Sequence, residues 1–333
     1  MRFAFTEDQR ELAAAVRDIL DSELDAAARE PSARRAGVWK HLADAGVFGL
    51  LVPEEQGGLG MTELDAVLLL EELGRAAVPG LVAETAFVAA PVIAAGDADR
   101  AAALAAGELA VSVQMSPGNF LPDADIADVL LLPDGQGARL VNRSDAVSKA
   151  LTTQPTIDPT RPLASLSDAA GDLGGVRVDA APALAERAVL ATAAQLTGVA
   201  RHLLDATVSY AMTREQFGKQ IGSFQAIKHQ LADMLLAIEF ARPMVHRAAY
   251  SLTHRLPTAT RDVSAAKVSA ATAGLQAVRT ALQVHGAIGY TEELDTQVWF
   301  KRTWWLVAAW GDADRHRRLV ASALAAGDLT RTP

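Results

Sequence analysis

The 333-residue chain contains no cysteine. That absence excludes disulfides, cysteine-ligated metals and thiol catalysis, while leaving the compartment open. No charge-free run of about 18 apolar residues occurs, so no membrane span is expected. The opening MRFAFTEDQREL turns acidic at Glu7 and has no apolar core, which is not the pattern of a signal peptide. Basic residues are outnumbered, 31 Lys and Arg against 40 Asp and Glu, for a net charge of -9. A nucleic-acid binder normally shows a basic face, and this balance argues against one. A basic pocket for an anionic ligand can still lie inside an acidic total. A cytoplasmic protein without nucleic-acid or membrane partners is the default expectation. Aromatics are scarce at 5%, whereas hydrophobic residues reach 50%, largely Ala, Leu and Val, which suits a helix-rich globular chain. Its length allows two or three subdomains.

Taken in order, Thr6-Glu7-Asp8-Gln9 reads as a capping box ahead of the apolar stripe Leu12, Val16, Ile19 and Leu20. A second helix is expected around Val38 to Ala45, ending at Gly46. Pro53 and Gly57-Gly58 then make a loop, and Thr62 opens the next helix. From about Gly107 to Asp179 short β-prone runs take over, at 109–113, 126–132, 138–141 and 175–178, with a turn at Pro133-Asp134-Gly135. Prolines 155, 159 and 162 mark an irregular connection. Helical periodicity returns afterwards: Leu184 to Thr213, Ser223 to about Leu252 with a kink at Pro243, Thr260 or Asp262 to His285, Glu292 to Ala309, and Asp312 to Ala325. Asp312 reads as the N-cap of that last helix. Long helices with short connections imply a four-helix bundle with a tail helix. The expected fold class is therefore mainly α with a small β domain. Its divisions are 1–106 N-terminal helical domain, 107–180 reduced middle β domain and 181–333 C-terminal four-helix bundle.

The chemistry-bearing stretch is Arg214 to Met234, REQFGKQIGSFQAIKHQLADM. Phe224, Ile227, Leu231, Met234, Leu235 and Ile238 recur at helical steps, with Ser223 as expected N-cap. The break Phe217-Gly218-Lys219-Gln220-Ile221-Gly222 holds Arg214 and Phe217 at an elbow between two helices. A guanidinium there can pair with a phosphate, and a ring can cover an apolar or aromatic surface.

This stretch resembles the R-x-x-F-G-x-x-I-x-x-F-Q-x-x-x-x-x-L-A-D-M segment of the acyl-CoA dehydrogenase family. F-T-E-D-Q-R-E-L, G-V-F-G-L-L-V-P-E-E-Q-G-G-L-G and L-L-E-E-L-G-R-A resemble that family's N-terminal helical domain. Gln283-Val284-His285-Gly286-Ala287-Ile288-Gly289-Tyr290 resembles its Q-x-x-G-G-x-G-Y turn, with Ala287 in place of the second glycine. The resemblance implies an FAD-dependent α,β-dehydrogenation of an acyl-CoA thioester. It also implies that Arg214 pairs with the FAD pyrophosphate, that Phe217, Ile221 and Phe224 line the nucleotide, and that Gln283, Gly286 and Ala287 contribute from the turn, across a subunit interface. An electron-transferring flavoprotein is the implied electron acceptor. The middle domain matches less well: Gln114 to Asn119 stands near the family's T-E-P-x-A-G-S-D-like loop, and nothing matches its W-I-T-N-like strand.

The resemblance also calls for a carboxylate that takes the α-proton. Counting from Gly289-Tyr290 to the family's I-Y-E-G-T glutamate reaches Trp310. Counting back from Arg214 to the alternative glutamate position reaches Ala188. Neither side chain abstracts a proton. Glu186 lies two residues earlier, about 200° around the helix, and is expected to point away as a solvated or capping carboxylate. His229, His285 and His316 are expected on helix or turn surfaces, without metal-ligand spacing. Trp299, Trp304, Trp305 and Trp310 cannot share one helix face and are expected in core packing or a subunit interface. Three functional readings follow. The chain is one subunit of a heteromeric acyl-CoA dehydrogenase, with the base in a paralogous partner chain of a heterotetramer. Alternatively it is a homo-oligomeric flavoenzyme with altered chemistry, or a non-catalytic interaction subunit. Retention of the FAD motifs and loss of the base favour the first.

Overall fold

The fold was derived from a computed structural model that describes residues 4–24, 31–135, 137–167, 173–178 and 183–327. The expected boundary at 180/181 lies outside the described residues. The chain divides into two compact units, one of residues 1–70 and 78–191, the other of residues 71–77 and 192–333.

The first unit opens with α1 (Glu7–Leu24), α2 (Pro31–Asp44) and α3 (Glu63–Arg75), whose residues from 71 onward belong to the second unit. The capping box at α1 is made in both directions: Gln9 N–H donates to Thr6 Oγ1 at 3.2 Å, and Thr6 N–H to Gln9 Oε1 at 2.9 Å. Thr62 precedes α3, and Asp65 accepts from both its backbone N–H and its hydroxyl. Between α2 and α3 the chain packs so closely that a Cβ on Gly58 would lie 2.1 Å from the Val52 carbonyl oxygen. A buried π-helical turn, Glu84–Ala89, leads into α4 (Ala90–Ala94) and α5 (Ala98–Ala105). Asp97 caps α5 through Arg100 N–H.

Seven strands follow among the described residues. Strands β1 (Val111–Val113), β3 (Val129–Asp134), β4 (Gly137–Asn142) and β7 (Val176–Val178) form one sheet in the order β1-β3-β4-β7. Strands β2 (Phe120–Pro122), β5 (Leu151–Gln154) and β6 (Leu163–Leu166) form a second, in the order β2-β6-β5. The four β-prone runs all belong to the first sheet. The second sheet is not legible in the sequence, because its strands are short and carry Pro122 and polar residues instead of an apolar alternation. The β3–β4 hairpin closes at Asp134 opposite Gly137, as the Pro133-Asp134-Gly135 turn implies. Helix α6 (Asp145–Ala150), capped by Ser144, joins the two sheets, whose shared core includes Leu81, Leu121, Leu130, Val141 and Val147.

The second unit is a helical bundle built from α7 (Leu184–Thr213) from residue 192 onward, α8 (Gln225–Thr253), α9 (Ala259–His285), α10 (Gln297–Ala308) and α11 (Ala313–Ala325). The elbow before α8 contains the short hairpin of β8 (Glu215–Gln216) and β9 (Lys219–Gln220). Small residues allow close helix approach: a Cβ on Gly198 would lie 1.8 Å from the Glu71 carbonyl oxygen. Pro243 lies within α8, which continues through it. Asp312 caps α11, accepting from Arg315 N–H at 2.8 Å. Among the described residues no helix is long and apolar enough to cross a membrane.

Three local expectations are corrected. Ser223 is not the cap of α8: it closes a 3-10 turn, its hydroxyl donates to Gln220 O, and Phe224 occupies the N-cap without a side-chain bond. The fourth bundle helix starts at Gln297, after a 3-10 turn through Gly286–Tyr290 and an irregular stretch. His285 and His316 are buried, at 5% and 3% exposure, because neighbouring helices cover the faces that a single-helix pattern leaves open.

Candidate functional site

The elbow between α7 and α8 is a two-residue hairpin. Gln216 pairs with Lys219, so Phe217 and Gly218 form its turn, with φ of 54° and 75°. Positive φ at both central residues matches the right-handed twist of the strands. Glycine takes this conformation freely, whereas Phe217 takes it at a cost. The compensation is not burial, since Phe217 is 92% exposed, the highest among the large hydrophobics of the described residues. Its ring stands edge-on to Phe224 at 6.2 Å, and Lys219 Nζ lies 4.4 Å over the Phe224 ring. Arg214 anchors the hairpin base: its N–H donates to Tyr210 O, and its carbonyl accepts from Ile221 N–H, both at 2.8 Å. The Arg214 side chain is exposed, and Ile221 and Phe224 are partly so. Gly222 sits against α7, where a Cβ would be 2.9 Å from Ala211 O.

The second motif follows α9. Gly286 has φ 66° and ψ -139°, a region open to glycine alone, and a Cβ there would meet nothing within 4 Å. Gln283, Gly286 and Ala287 are exposed, as is Tyr290 at 80%.

Tyr210 and His285 bring the two motifs together, and neither was singled out for this from the sequence. Their rings stack with centroids 4.3 Å apart. Tyr210 lies one helical turn before Arg214, and His285 directly precedes Gly286. The signal was present in the spacing: Tyr210 is four residues before Arg214, on the same helical face. His285 Nδ1 donates to Ala281 O at 2.8 Å, and burial lowers its pKa against that bond, so the stacked ring is neutral at pH 7. The seven residues expected to contact the cofactor therefore lie in two adjoining turns. The arrangement offers an exposed cation, an exposed ring and open space above a glycine backbone. Those features fit the pyrophosphate and aromatic rings of a flavin nucleotide approached from outside the chain.

The base positions differ. Ala188 is buried in α7, in the first unit. Trp310, in the second, is 5% exposed with φ 59°, in the corner between α10 and α11. Glu186 is half-buried in the first turn of α7. Trp305 is buried like Trp310, whereas Trp304 is 37% exposed, and Trp299 stacks on His202 at 3.7 Å and donates to Arg75 O. The tryptophans thus divide between packing and surface.

Comparison with known proteins agrees with this architecture. The chain matches the acyl-CoA dehydrogenase N-terminal domain over residues 6–106 and the acyl-CoA dehydrogenase C-terminal domain over residues 174–325. It is 35% identical over 293 residues to acyl-CoA dehydrogenase IpdE2 of Mycolicibacterium smegmatis, covering 86% of this chain and 85% of that protein. The ChsE4-ChsE5 complex of Mycobacterium tuberculosis contains a similar fold, with a TM-score of 0.81 and 26% identity over 100% of both chains. Butyryl-CoA dehydrogenase of Megasphaera elsdenii shares the fold at a TM-score of 0.80 and 20% identity, over 98% of this chain and 100% of that one. The chain belongs to the acyl-CoA dehydrogenase family, oxidoreductases that act on CH–CH bonds.

Proposed function

We propose that this chain is the cofactor-holding subunit of a heteromeric, FAD-dependent acyl-CoA dehydrogenase whose catalytic base is supplied by a paralogous partner chain. Arg214 would pair with the pyrophosphate, Phe217, Ile221 and Phe224 would line the nucleotide, and Gln283, Gly286 and Ala287 would close the turn side. Bound FAD supplies the hydride-accepting chemistry. The division into 1–106, 107–180 and 181–333 describes the functional parts in this reading. An electron-transferring flavoprotein is the proposed electron acceptor.

One observation carries the proposal. The FAD-motif residues, with Ala287 the one departure, stand exposed or partly exposed on one pair of turns, while the two positions where relatives keep a carboxylate hold Trp310 and Ala188. An indole and a methyl group cannot take the α-proton. Exposed apolar residues on the bundle, Met212, Leu236 and Phe240 at 62%, 54% and 74%, support burial against another chain. The similar chain in the ChsE4-ChsE5 complex supports a hetero-oligomer over a homo-oligomer.

A visible absorption spectrum tests the reading, taken on the chain purified alone and after co-expression with the product of the adjacent gene. Flavin absorbance from the pair only is the expected outcome. Stoichiometric FAD on the lone chain would count against a shared site, and no flavin in either preparation would favour a non-catalytic subunit.

A further inference from the structure

Two buried titratable groups that the proposed function does not use hold the corner between α10 and α11. Lys267, on α9, is fully buried, and its ammonium donates to Leu306 O at 2.5 Å and to Ala309 O at 2.8 Å. Both acceptors stand at the C-terminal end of α10, where unpaired carbonyls and the helix dipole favour a cation. Immediately beyond, Trp310 and Gly311 have φ of 59° and 99°, so the chain reverses through two consecutive left-handed residues. His316, on α11, secures the other side. Its Nε2 donates to Trp310 O at 3.0 Å, and its Nδ1 accepts from Ser264 Oγ at 3.1 Å, which satisfies both nitrogens of a neutral ring. A Cβ on Gly311 would lie 2.7 Å from Arg315 Cδ and 3.2 Å from His316 Nε2.

We propose that Lys267 is a proton-sensitive positioning residue: as an ammonium it clamps the end of α10 and fixes Trp310, and as a neutral amine it loosens that clamp. The geometry is that of a latch, with one buried side chain bridging from α9 to the last carbonyls before the corner. Its acceptors are carbonyl oxygens, and among the described residues no carboxylate forms an ion pair with it. Burying such a cation without a counter-charge is unfavourable, and the two carbonyl acceptors offset only part of that. The charged groups around it are few. Asp312 acts on Lys267 from α11, Arg315 and His316 stand on the same helix, and α10 contributes the two backbone carbonyls. Burial brings the Lys267 pKa down to about 7, against the pull of Asp312, so both states are populated near neutrality. His316 is lowered by burial against its bond to Trp310, and Lys267 and Arg315 lower it further, so it stays neutral over the same range. The latch would operate whether or not FAD is bound.

The test is the fluorescence of Trp310, obtained in the full chain as the difference between wild type and Trp310→Phe across the neutral pH range. The expected result is one transition in emission wavelength centred near pH 7. Lys267→Arg, which keeps its charge throughout, should hold the low-pH spectrum at every pH. Lys267→Met should hold the high-pH spectrum. A flat wild-type profile would overturn the proposal, and so would a transition that survives in Lys267→Arg. If circular dichroism shows that neither variant folds, the wild-type and Trp310→Phe comparison still decides, since it leaves Lys267 intact.

Discussion

Tyr210 stacks on His285 with ring centroids 4.3 Å apart and planes 26° from parallel, and this contact joins the two turns that carry the proposed FAD residues. An aromatic pair of this kind contributes about 0.5–1.5 kcal/mol beyond area burial. Tyr210→Ala should therefore weaken FAD retention by roughly 2- to 10-fold without abolishing it, since no direct cofactor contact is removed. Flavin content after gel filtration of the co-expressed complex measures this. Unchanged retention would show that the two turns hold the cofactor independently.

Arg214 makes a sharper case. Its backbone anchors the hairpin, while its side chain is exposed and available to an anion. Arg214→Ala removes a charge-assisted contact of about 1.5–3 kcal/mol. Arg214→Lys should recover part of the loss, because the charge returns without the bidentate fork. Isothermal titration of the apo-complex with FAD should rank wild type, Lys and Ala in that order. Equal affinities would remove Arg214 from the site.

Both motifs were legible in the sequence because they are contiguous: Arg214, Phe217, Gly218 and Ile221 lie in one elbow, and Gln283, Gly286 and Ala287 in one turn. Long helices were legible too, and α7 runs from Leu184 to Thr213 as its periodicity implies. What pattern reading could not supply was the relation between distant segments. His316 looks exposed on α11 taken alone, yet Ser264 of α9 and the Trp310 carbonyl enclose it. Lys267 reads as an ordinary lysine in an alanine-rich helix, and only the folded bundle, with the last carbonyls of α10 at its ammonium, shows it buried. The second sheet escaped for a different reason: its three- and four-residue strands are set by pairing between Phe120–Pro122, Leu151–Gln154 and Leu163–Leu166, not by local alternation.

In the first unit, Arg161 is fully buried between Glu84, on the π-helical turn, at 2.5 Å and Asp123 at 2.9 Å. Burial opposes its charge, but Glu84, Asp123 and Asp158 outweigh that and raise its pKa. Arg161→Met would leave two carboxylates without their shared cation, a loss of about 3–5 kcal/mol. Adding Glu84→Gln and Asp123→Asn should restore part of it, since neutral amides are less unfavourable when buried unpaired. Urea denaturation of the single and triple variants measures the difference. A fully stable Arg161→Met would mean the cluster is solvated in solution.

The pH dependence of stability follows from Lys267 and His316. The folded pKa of Lys267 lies at about 7, below its ordinary 10.5, so between those values the unfolded chain binds the extra proton. Stability therefore rises as pH increases across that window, and the penalty of burying the ammonium is fully present below it. His316 is also lowered, so its contribution is lost as pH falls below 6.5 through its folded pKa. Both effects point the same way, toward weaker folding in acid. Lys267→Met should flatten the rise above neutrality and leave the acid-side loss from His316 in place. Urea midpoints at a series of pH values would show this, and parallel curves for the two proteins would contradict it.

Phe217 sets stability against binding within one residue. Its φ of 54° is disfavoured for an aromatic side chain, and at 92% exposure its edge-on contact with Phe224 gives little burial in return. The left-handed conformation costs an ordinary residue about 1–2 kcal/mol, whereas asparagine bonds locally and tolerates it. Phe217→Asn should therefore leave the melting temperature unchanged or raise it, while FAD retention falls because the ring is gone. Differential scanning calorimetry of the apo-chain reads the first effect and flavin titration of the complex reads the second. A variant that loses stability without losing FAD would reverse the assignment, making the ring a structural element of the hairpin. The expected opposite pattern would identify the strain in this turn as the consequence of presenting an aromatic face to a ligand.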